Sequence, residues 1–354
     1  MKLRRLIEDF VVEELNNFTT SDSGKFKLYS LEKRGLETFY IINYLSRTNN
    51  IPRREFGYAG LKDKHAITKQ YLTIPCEREI NTLKEKNFDI GFIGYVDKKI
   101  QLGELLGNRF QITVREITKG ELGGIYKIAS NITEIGAPNY YDSQRFGSFI
   151  KGVFIAKLVA ENQFEQAVKA YLTSYKKSEN KELKKDKREI LSKWTELSNA
   201  NVKNKTLKAI IDEFLKYNDW EKAYTRIPNH IRELHKHSYE SYQWNENVKN
   251  LIKNLEATYS IKYNAGTLLF YKKISENEII KIPPVIDGRN VIVKPTNFTI
   301  SEPLNDELSK NRFKINISFD LPKGRSKEIL ILNLYFLRSS KRKLRNYHNK
   351  KNIQ

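Results

Sequence analysis

The chain has 354 residues, enough for two domains, and its 20 tyrosines and 18 phenylalanines indicate a folded protein rather than a disordered one. The formal net charge of +21 favours a nucleic-acid partner, although a lysine-rich composition is also typical of an AT-rich genome or a hot habitat. The only cysteine, Cys76, excludes an internal disulfide, and the lack of a signal-type block or of an apolar run near the roughly 20 residues of a membrane helix predicts a cytoplasmic protein.

Short strands alternate with helices in the first 155 residues. Period-two alternation predicts strands at 10–14 and 25–31, and an amphipathic pattern predicts a helix at 37–48. The other elements predicted here are strands at 70–74, 90–97 and 110–115 and a helix near 125–135. Because long βαβ units are absent, we expect an antiparallel or mixed sheet and an α/β (α+β) fold class.

The composition changes near residue 152 to helix-rich, lysine-heavy sequence. All three tryptophans fall in this stretch, and large aromatic residues are what a second core needs. A strand pattern returns at 313–319, whereas 328–337 fits either a buried strand or a helix. We therefore predict a first domain over 1–155, an inserted domain over 156–305, a return to the first domain over 306–340 and a basic tail over 341–354. The tail is either a solvated flexible end or an RNA-contacting arm.

The stretch 57–70 isolates one carboxylate, Asp63, among glycines and cations. Gly57 and Gly60 let a bulky ligand approach the main chain closely. The neighbouring cations are Lys62, Lys64 and His65. Such an acid can act as a nucleophile or as a base that its neighbours keep ionised. Most loop aspartates, however, cap helices or shape turns, so the residues alone leave both interpretations open.

A second segment, 139–147, interleaves aromatic residues with amide and guanidinium groups. Tyr141 can stack on a base, Asn139 can pair with a base edge, and Arg145 can bind phosphate. Together they suit recognition of an unstacked nucleotide. The alternative is that Tyr141 packs in a core.

Other chemistries are not supported by the residues available. Of the five histidines, the four that follow His65 have no accompanying cysteine or acidic pattern that predicts a metal site. No Walker loop, G-x-S-x-G elbow or Rossmann glycine signature is present, which disfavours nucleotide hydrolysis and hydride transfer.

In this order, the segments resemble the TruD family of tRNA pseudouridine synthases. Residues 59–66, with Thr68 and Gln70, look like the family's catalytic motif, and 139–147 looks like its second signature. Supporting matches are Glu8-Asp9-Phe10-Val11-Val12-Glu13, Leu31-Glu32-Lys33-Arg34-Gly35, Gly107-Asn108-Arg109-Phe110 and Leu321-Pro322-x-Gly324. The resemblance covers residues 1 to about 150 well and about 312 to 336 more thinly.

The resemblance implies a pseudouridine-synthase fold, with a bent, mostly antiparallel mixed sheet and a helix-rich α/β insertion domain. It also implies isomerisation of uridine to pseudouridine, typically at position 13 of tRNA, without a metal or an organic cofactor. We expect tRNA as the partner, no membrane contact, and a monomer or weak homo-oligomer.

The resemblance also assigns roles to residues. Asp63 is expected to be the nucleophile, attacking the base or the sugar. Tyr141 is expected to stack on the target base, while Asn139 and Phe10 contact it. Arg4, Lys62 and Arg145 are expected among the substrate-binding cations.

Two positions depart from the family pattern. Arg4 stands where the family commonly has a lysine facing the nucleophile, and Arg and Lys differ at close range. Ser326 stands where the family has an aromatic residue near the end of the chain. Alternatives to an enzyme are a non-catalytic tRNA-binding, RNA-binding or RNA-folding protein on the same scaffold, and a structural subunit of a ribonucleoprotein.

Overall fold

The computed structural model describes residues 2–81, 84–141, 143–149, 152–175, 179–255, 258–271, 278 and 282–323. The described residues form two compact units, of which the first runs to Pro138 and resumes at Ile292, and the second spans Asn139–Val291. The domain boundaries expected at 155 and 305 stay a prediction. The basic tail, Ser326 and the undecided stretch 328–337 lie outside the described residues.

The first unit opens with alternating strands and helices. The helix Lys119–Glu134 starts with a capping box, in which the Glu121 carboxylate accepts hydrogen bonds from the Thr118 backbone N–H at 2.8 Å and hydroxyl at 2.7 Å. The elements are β1 (Phe10–Leu15), β2 (Phe26–Arg34), α1 (Thr38–Thr48), β3 (Gly57–Tyr58), β4 (Ile67–Pro75), β5 (Lys84–Glu85), β6 (Phe88–Val96), β7 (Gly107–Ile117), α2 (Lys119–Glu134) and β8 (Ala137–Pro138).

The second unit is rich in helices. Asn180, Asn204 and Asp219 cap three of them through side-chain oxygens. A core that includes Leu172, Ile190 and Ile210 holds the helices together. The elements are α3 (Ile155–Ala160), α4 (Phe164–Thr173), α5 (Lys181–Ser192), α6 (Lys205–Tyr217), α7 (Trp220–Thr225), α8 (Asn229–Lys253), β9 (Thr258–Tyr263), β10 (Gly266–Tyr271), β11 (Val285–Ile286) and β12 (Arg289–Asn290).

The chain then re-enters the first unit. Its last described elements are β13 (Ile292–Val293), β14 (Thr296–Ile300), β15 (Leu304–Asn305) and β16 (Phe313–Pro322). Strand β13 pairs with β8, so the chain leaves and re-enters this unit at the same place.

One mixed sheet organises the first unit. Within the described ranges its strand order is β14-β16-β7-β1-β4-β2-β6-β5, with β15 on β16 and β3 on β4. Every pair is antiparallel except β1 and β4, which run parallel with Val11 opposite Ile67. This confirms the expected α/β class with a mostly antiparallel mixed sheet.

The register of the three central strands defines one end of the sheet. Because β1 and β4 are parallel, their first residues lie side by side, and β2 ends there because Arg34 is paired with Ile67. Phe10 and Ala66 accordingly share a hydrophobic cluster at this end. The segments 4–10 and 60–66 and the end of β2 therefore meet.

Candidate active site

The loop that carries Asp63 is fixed by buried polar side chains. Thr38, at the start of α1, accepts the Lys62 backbone N–H at 3.1 Å and donates to the Gln70 Oε1 at 2.7 Å. The Gln70 Nε2 in turn donates to the Gly60 carbonyl at 3.2 Å. Thr38 and Gln70 are both buried, so these bonds are protected from water. Asp63 itself is partly exposed at the end of the sheet, so a ligand can reach it.

Lys33 lies beneath this loop and is only 1% exposed. Its Nζ donates to the carbonyl of Leu36 at 2.8 Å and to the carbonyl of Asp63 at 2.9 Å. Burial lowers the pKa of the Lys33 amine to about 8, while the nearby Asp63 charge acts in the opposite direction. The sequence shows Lys33 only as part of the motif Leu31-Glu32-Lys33-Arg34-Gly35. The fold brings its amine to the Asp63 carbonyl.

The cations around Asp63 have different environments. Lys62 forms a buried ion pair with Glu14, with 2.5 Å between Nζ and Oε1. Lys64 is exposed and lies 3.2 Å from Glu37, and His65 is exposed as well. The Lys62 charge is therefore compensated within the protein.

Arg4 and Phe10, both expected to contact substrate, lie against each other. The Arg4 guanidinium is 4.0 Å from the centre of the Phe10 ring. Asp9 shapes the segment between them, because one carboxylate oxygen accepts the backbone N–H groups of Arg5 and Leu6, each at 2.9 Å. The other oxygen accepts from Arg115 at 2.8 Å. The segment 4–10 is thus anchored by Asp9 next to its aromatic residue.

In the second unit, Asn139 forms hydrogen bonds through both its side chain and its backbone. Its side chain donates to the Asn290 carbonyl at 2.7 Å and accepts from Arg289 at 2.8 Å, and its carbonyl accepts from Trp244 at 2.7 Å. Asn139 is 1% exposed. A hydrogen bond between Asn139 and a uridine would therefore require a rearrangement of this network.

Two guanidinium groups lie over the partly exposed ring of Tyr141. Arg289 is 4.0 Å from the ring centre and Arg145 is 5.4 Å from it. The backbone of Tyr141 is clamped by Asn245, which accepts from its N–H at 2.7 Å and donates to its carbonyl at 2.9 Å. Arg289 is missing from the sequence predictions. The one sequence feature that could have pointed to Arg289 is its position directly after the Asp287-Gly288 turn.

The structure therefore brings the predicted residues together in two groups. Asp63, Lys62, Arg4 and Phe10 belong to the first unit, at the end of its sheet where β1 and β4 begin. The residues of the second unit are Asn139, Tyr141 and Arg145.

Over the described residues, no three His, Cys, Asp or Glu side chains are grouped to hold a metal ion. No helix in the same ranges has the length and apolar character to cross a membrane.

Comparison with known sequences identifies the family. The family model described as tRNA pseudouridine synthase D (TruD) matches residues 1–282. The chain belongs to the TruD family.

Similar proteins agree with the TruD assignment over nearly the whole length. A relative from Methanococcus maripaludis, named "Probable tRNA pseudouridine synthase D 1", is 34% identical over 389 residues and is aligned over 95% of this chain and 99% of its own. A relative from Methanocaldococcus jannaschii, named "Probable tRNA pseudouridine synthase D 2", is 36% identical over 399 residues and is aligned over 97% of this chain and 94% of its own. A TruD crystal structure from Methanosarcina mazei shares the fold, with a TM-score of 0.72 and 22% identity over 94% of this chain and 92% of that one.

Proposed function

We propose that this chain is a tRNA pseudouridine synthase that isomerises uridine 13 of tRNA, with Asp63 as the nucleophile. The observation that carries the proposal is the setting of Asp63 within a member of the TruD family. Asp63 is partly exposed at the end of the central strands, on a loop whose backbone is fixed by Thr38, Gln70 and Lys33. A fixed backbone with an accessible carboxylate is what nucleophilic catalysis needs.

The reaction is an isomerisation with no net gain or loss of atoms. Asp63 attacks the uridine at the base or at the sugar, and the bond between C1′ and N1 breaks. The uracil turns so that its C5 forms a bond with C1′, the proton on C5 is released, and N1 is protonated. The bond between Asp63 and the nucleoside breaks, which regenerates the free carboxylate. No electron donor or acceptor is needed.

The uridine must leave its stack before Asp63 can reach it. Extruding a base costs a few kcal/mol, and base–aromatic stacking contributes about 1–3 kcal/mol in return. We propose Tyr141 as the stacking residue. Phe10 and Asn139 are each only 1% exposed, so we propose them as further contacts to the uridine after a local rearrangement that uncovers them. Arg4 and Arg145 lie against these aromatic rings, and we propose that both guanidinium groups bind phosphate.

The net charge supports tRNA as the partner. A chain with +21 formal charge attracts a phosphate backbone, and the resulting affinity falls as salt rises because counterions are released on binding. The same charge would also suit a non-catalytic RNA-binding protein, so the test must measure chemistry as well as binding.

The test uses tRNA transcripts that carry tritium on C5 of uridine. Wild type is expected to release tritium from the transcript with uridine 13 and not from one with cytidine 13. Asp63→Asn is expected to lose activity by several orders of magnitude while binding the same tRNA. Asp97→Asn, at an exposed position of the same unit, is the matched control and should keep full activity. Tight, salt-sensitive binding by a folded wild type that forms no pseudouridine would instead favour the RNA-binding protein.

A further inference from the structure

Lys33 is a charged side chain placed where an apolar one would cost less. It is the second-last residue of β2, opposite Thr68 of β4 and Phe88 of β6, and is 1% exposed. Moving an ammonium group out of water is unfavourable unless polar groups compensate for it. A methionine would fill a similar volume without that penalty. Packing alone therefore does not explain a lysine at this position.

The contacts of Lys33 connect it to the nucleophile. Its Nζ donates to the Leu36 carbonyl, in the turn that follows β2, and to the carbonyl of Asp63 itself, at 2.8 and 2.9 Å. Both acceptors are main-chain atoms, so the amine restrains the backbone of the loop. Among charged groups, the ones that act on the Lys33 amine are Asp63, Lys62 and Glu37.

We propose that Lys33 is a positioning residue for the isomerisation, and that its ammonium holds the Asp63 backbone so that the carboxylate is fixed relative to the bound nucleoside. This inference rests on the proposed function, because it requires Asp63 to be the nucleophile. A misplacement of about 1 Å can lower a reaction rate on the order of 100-fold. A buried hydrogen bond to the backbone carbonyl of the reacting residue is therefore sufficient for a large effect.

The amine also changes its charge within an accessible pH range. Burial lowers the pKa of Lys33 from 10.5 to about 8, Asp63 and Glu37 favour its charged form, and Lys62 disfavours it. Glu37 and Lys62 each form an ion pair with another residue. The Lys64 Nζ lies 3.2 Å from the Glu37 Oε1, and the Lys62 Nζ lies 2.5 Å from the Glu14 Oε1. Above pH 8 the two hydrogen bonds come from a neutral amine, and such bonds are about half as strong as charged ones. The backbone of the Asp63 loop is therefore restrained less strongly above pH 8.

The experiment measures steady-state rates of tritium release by the full-length protein at varied tRNA concentration, between about pH 6 and 10. For Lys33→Met we expect kcat to fall about 10- to 100-fold with KM nearly unchanged, because this buried side chain does not reach the RNA. Its profile should also lack the decline that begins near pH 8 in wild type. Lys33→Arg keeps the charge at every pH tested, so it should retain more activity and also lack that decline. Ionisation of the uridine itself is common to all variants and cancels in their ratios.

Lys187→Met is the matched control. Lys187 is another buried lysine, in the second unit, and its Nζ donates to the Ser174 carbonyl at 2.8 Å and to Glu179 at 3.0 Å. Its loss should lower the melting temperature without changing kcat or the pH profile. The inference is overturned if Lys33→Met retains wild-type kcat, or if either Lys33 variant keeps the wild-type decline above pH 8. Full activity of Asp63→Asn would overturn the proposed function instead, so the two failures are distinguishable.

Discussion

Lys62 and Glu14 form an ion pair inside the protein, with Nζ 2.5 Å from Oε1 and side chains that are 9% and 3% exposed. The second oxygen of Glu14 accepts the backbone N–H of Tyr71 at 3.1 Å. The pair therefore connects β1, β4 and the loop that carries Asp63. Lys62 was expected to bind substrate, and its position gives it a structural contact as well.

The first prediction concerns this pair. Lys62→Met should destabilise the protein by about 3–5 kcal/mol, because it leaves Glu14 buried without its counter-charge. The double variant Lys62→Met with Glu14→Gln should recover part of that loss. Lys69→Met is the control, since Lys69 forms an exposed pair with Glu13 at 3.4 Å and should cost less than about 1 kcal/mol. Urea unfolding measures all three, and equal losses for Lys62→Met and Lys69→Met would contradict the prediction.

The second prediction concerns Arg289, which contacts the Asn139 side chain at 2.8 Å and the Tyr141 ring at 4.0 Å. Lysine cannot make the planar contact and the directed hydrogen bond together. We expect Arg289→Lys to lower kcat/KM about 10- to 100-fold through loss of a charged hydrogen bond. Arg232→Lys is the control, because Arg232 lies near the Tyr224 ring at 6.0 Å and bonds the Ile227 carbonyl in the same unit. A kcat/KM equal to that of the control would rule out a role for Arg289.

The third prediction is a pH dependence of stability from His235. Burial lowers its pKa from 6.5 to about 4, so between these values the unfolded chain binds a proton that the folded chain does not. Stability due to this group is therefore complete above pH 6.5 and decreases as the pH falls to 4, by up to about 3 kcal/mol. His235→Gln should flatten this part of the stability curve. The exposed His237 provides the control His237→Gln, and equal flattening of the curve by the two substitutions would contradict the burial argument.

The fourth prediction separates two glycines of the Asp63 region. A Cβ at Gly57 would lie 2.3 Å from the Thr73 hydroxyl and 2.7 Å from the Ile100 carbonyl, whereas one at Gly60 would meet nothing within 4 Å. Gly57→Ala should therefore destabilise the protein by about 1–3 kcal/mol. Gly60→Ala should leave the melting temperature nearly unchanged. If Gly60→Ala nevertheless weakens tRNA binding, RNA approaches the backbone at that position. Equal melting temperatures for the two variants would contradict the steric argument.

Local patterns were sufficient for most of the first unit. The predicted helix 37–48 is observed as Thr38–Thr48, and the strand 10–14 as Phe10–Leu15. Strand β2 was predicted to end at residue 31 but continues to Arg34. The reason is Lys33, which occupies an inward position that an apolar residue would normally take, because two carbonyls bind its amine.

The site was predictable in its segments and less so in its contacts. The Asp63 loop and the 139–147 segment stand out by composition, but the partners of their residues are distant in sequence. Arg289 is 150 positions from Asn139 in the sequence, and Glu14 lies on β1 whereas Lys62 lies on the Asp63 loop. Such pairings depend on the topology of the sheet and on the packing of α8, which no local pattern encodes.

The position of β16 next to β7 has a consequence for biosynthesis. Strand β7 ends at Ile117, and its partner begins only at Phe313. At roughly 5–20 residues per second, a ribosome needs about 10–40 seconds to make the chain between them. During that time one edge of β7 has no neighbour, and an unpaired edge is prone to pair with other chains. The nascent protein is thus most vulnerable to aggregation while its second unit is being translated.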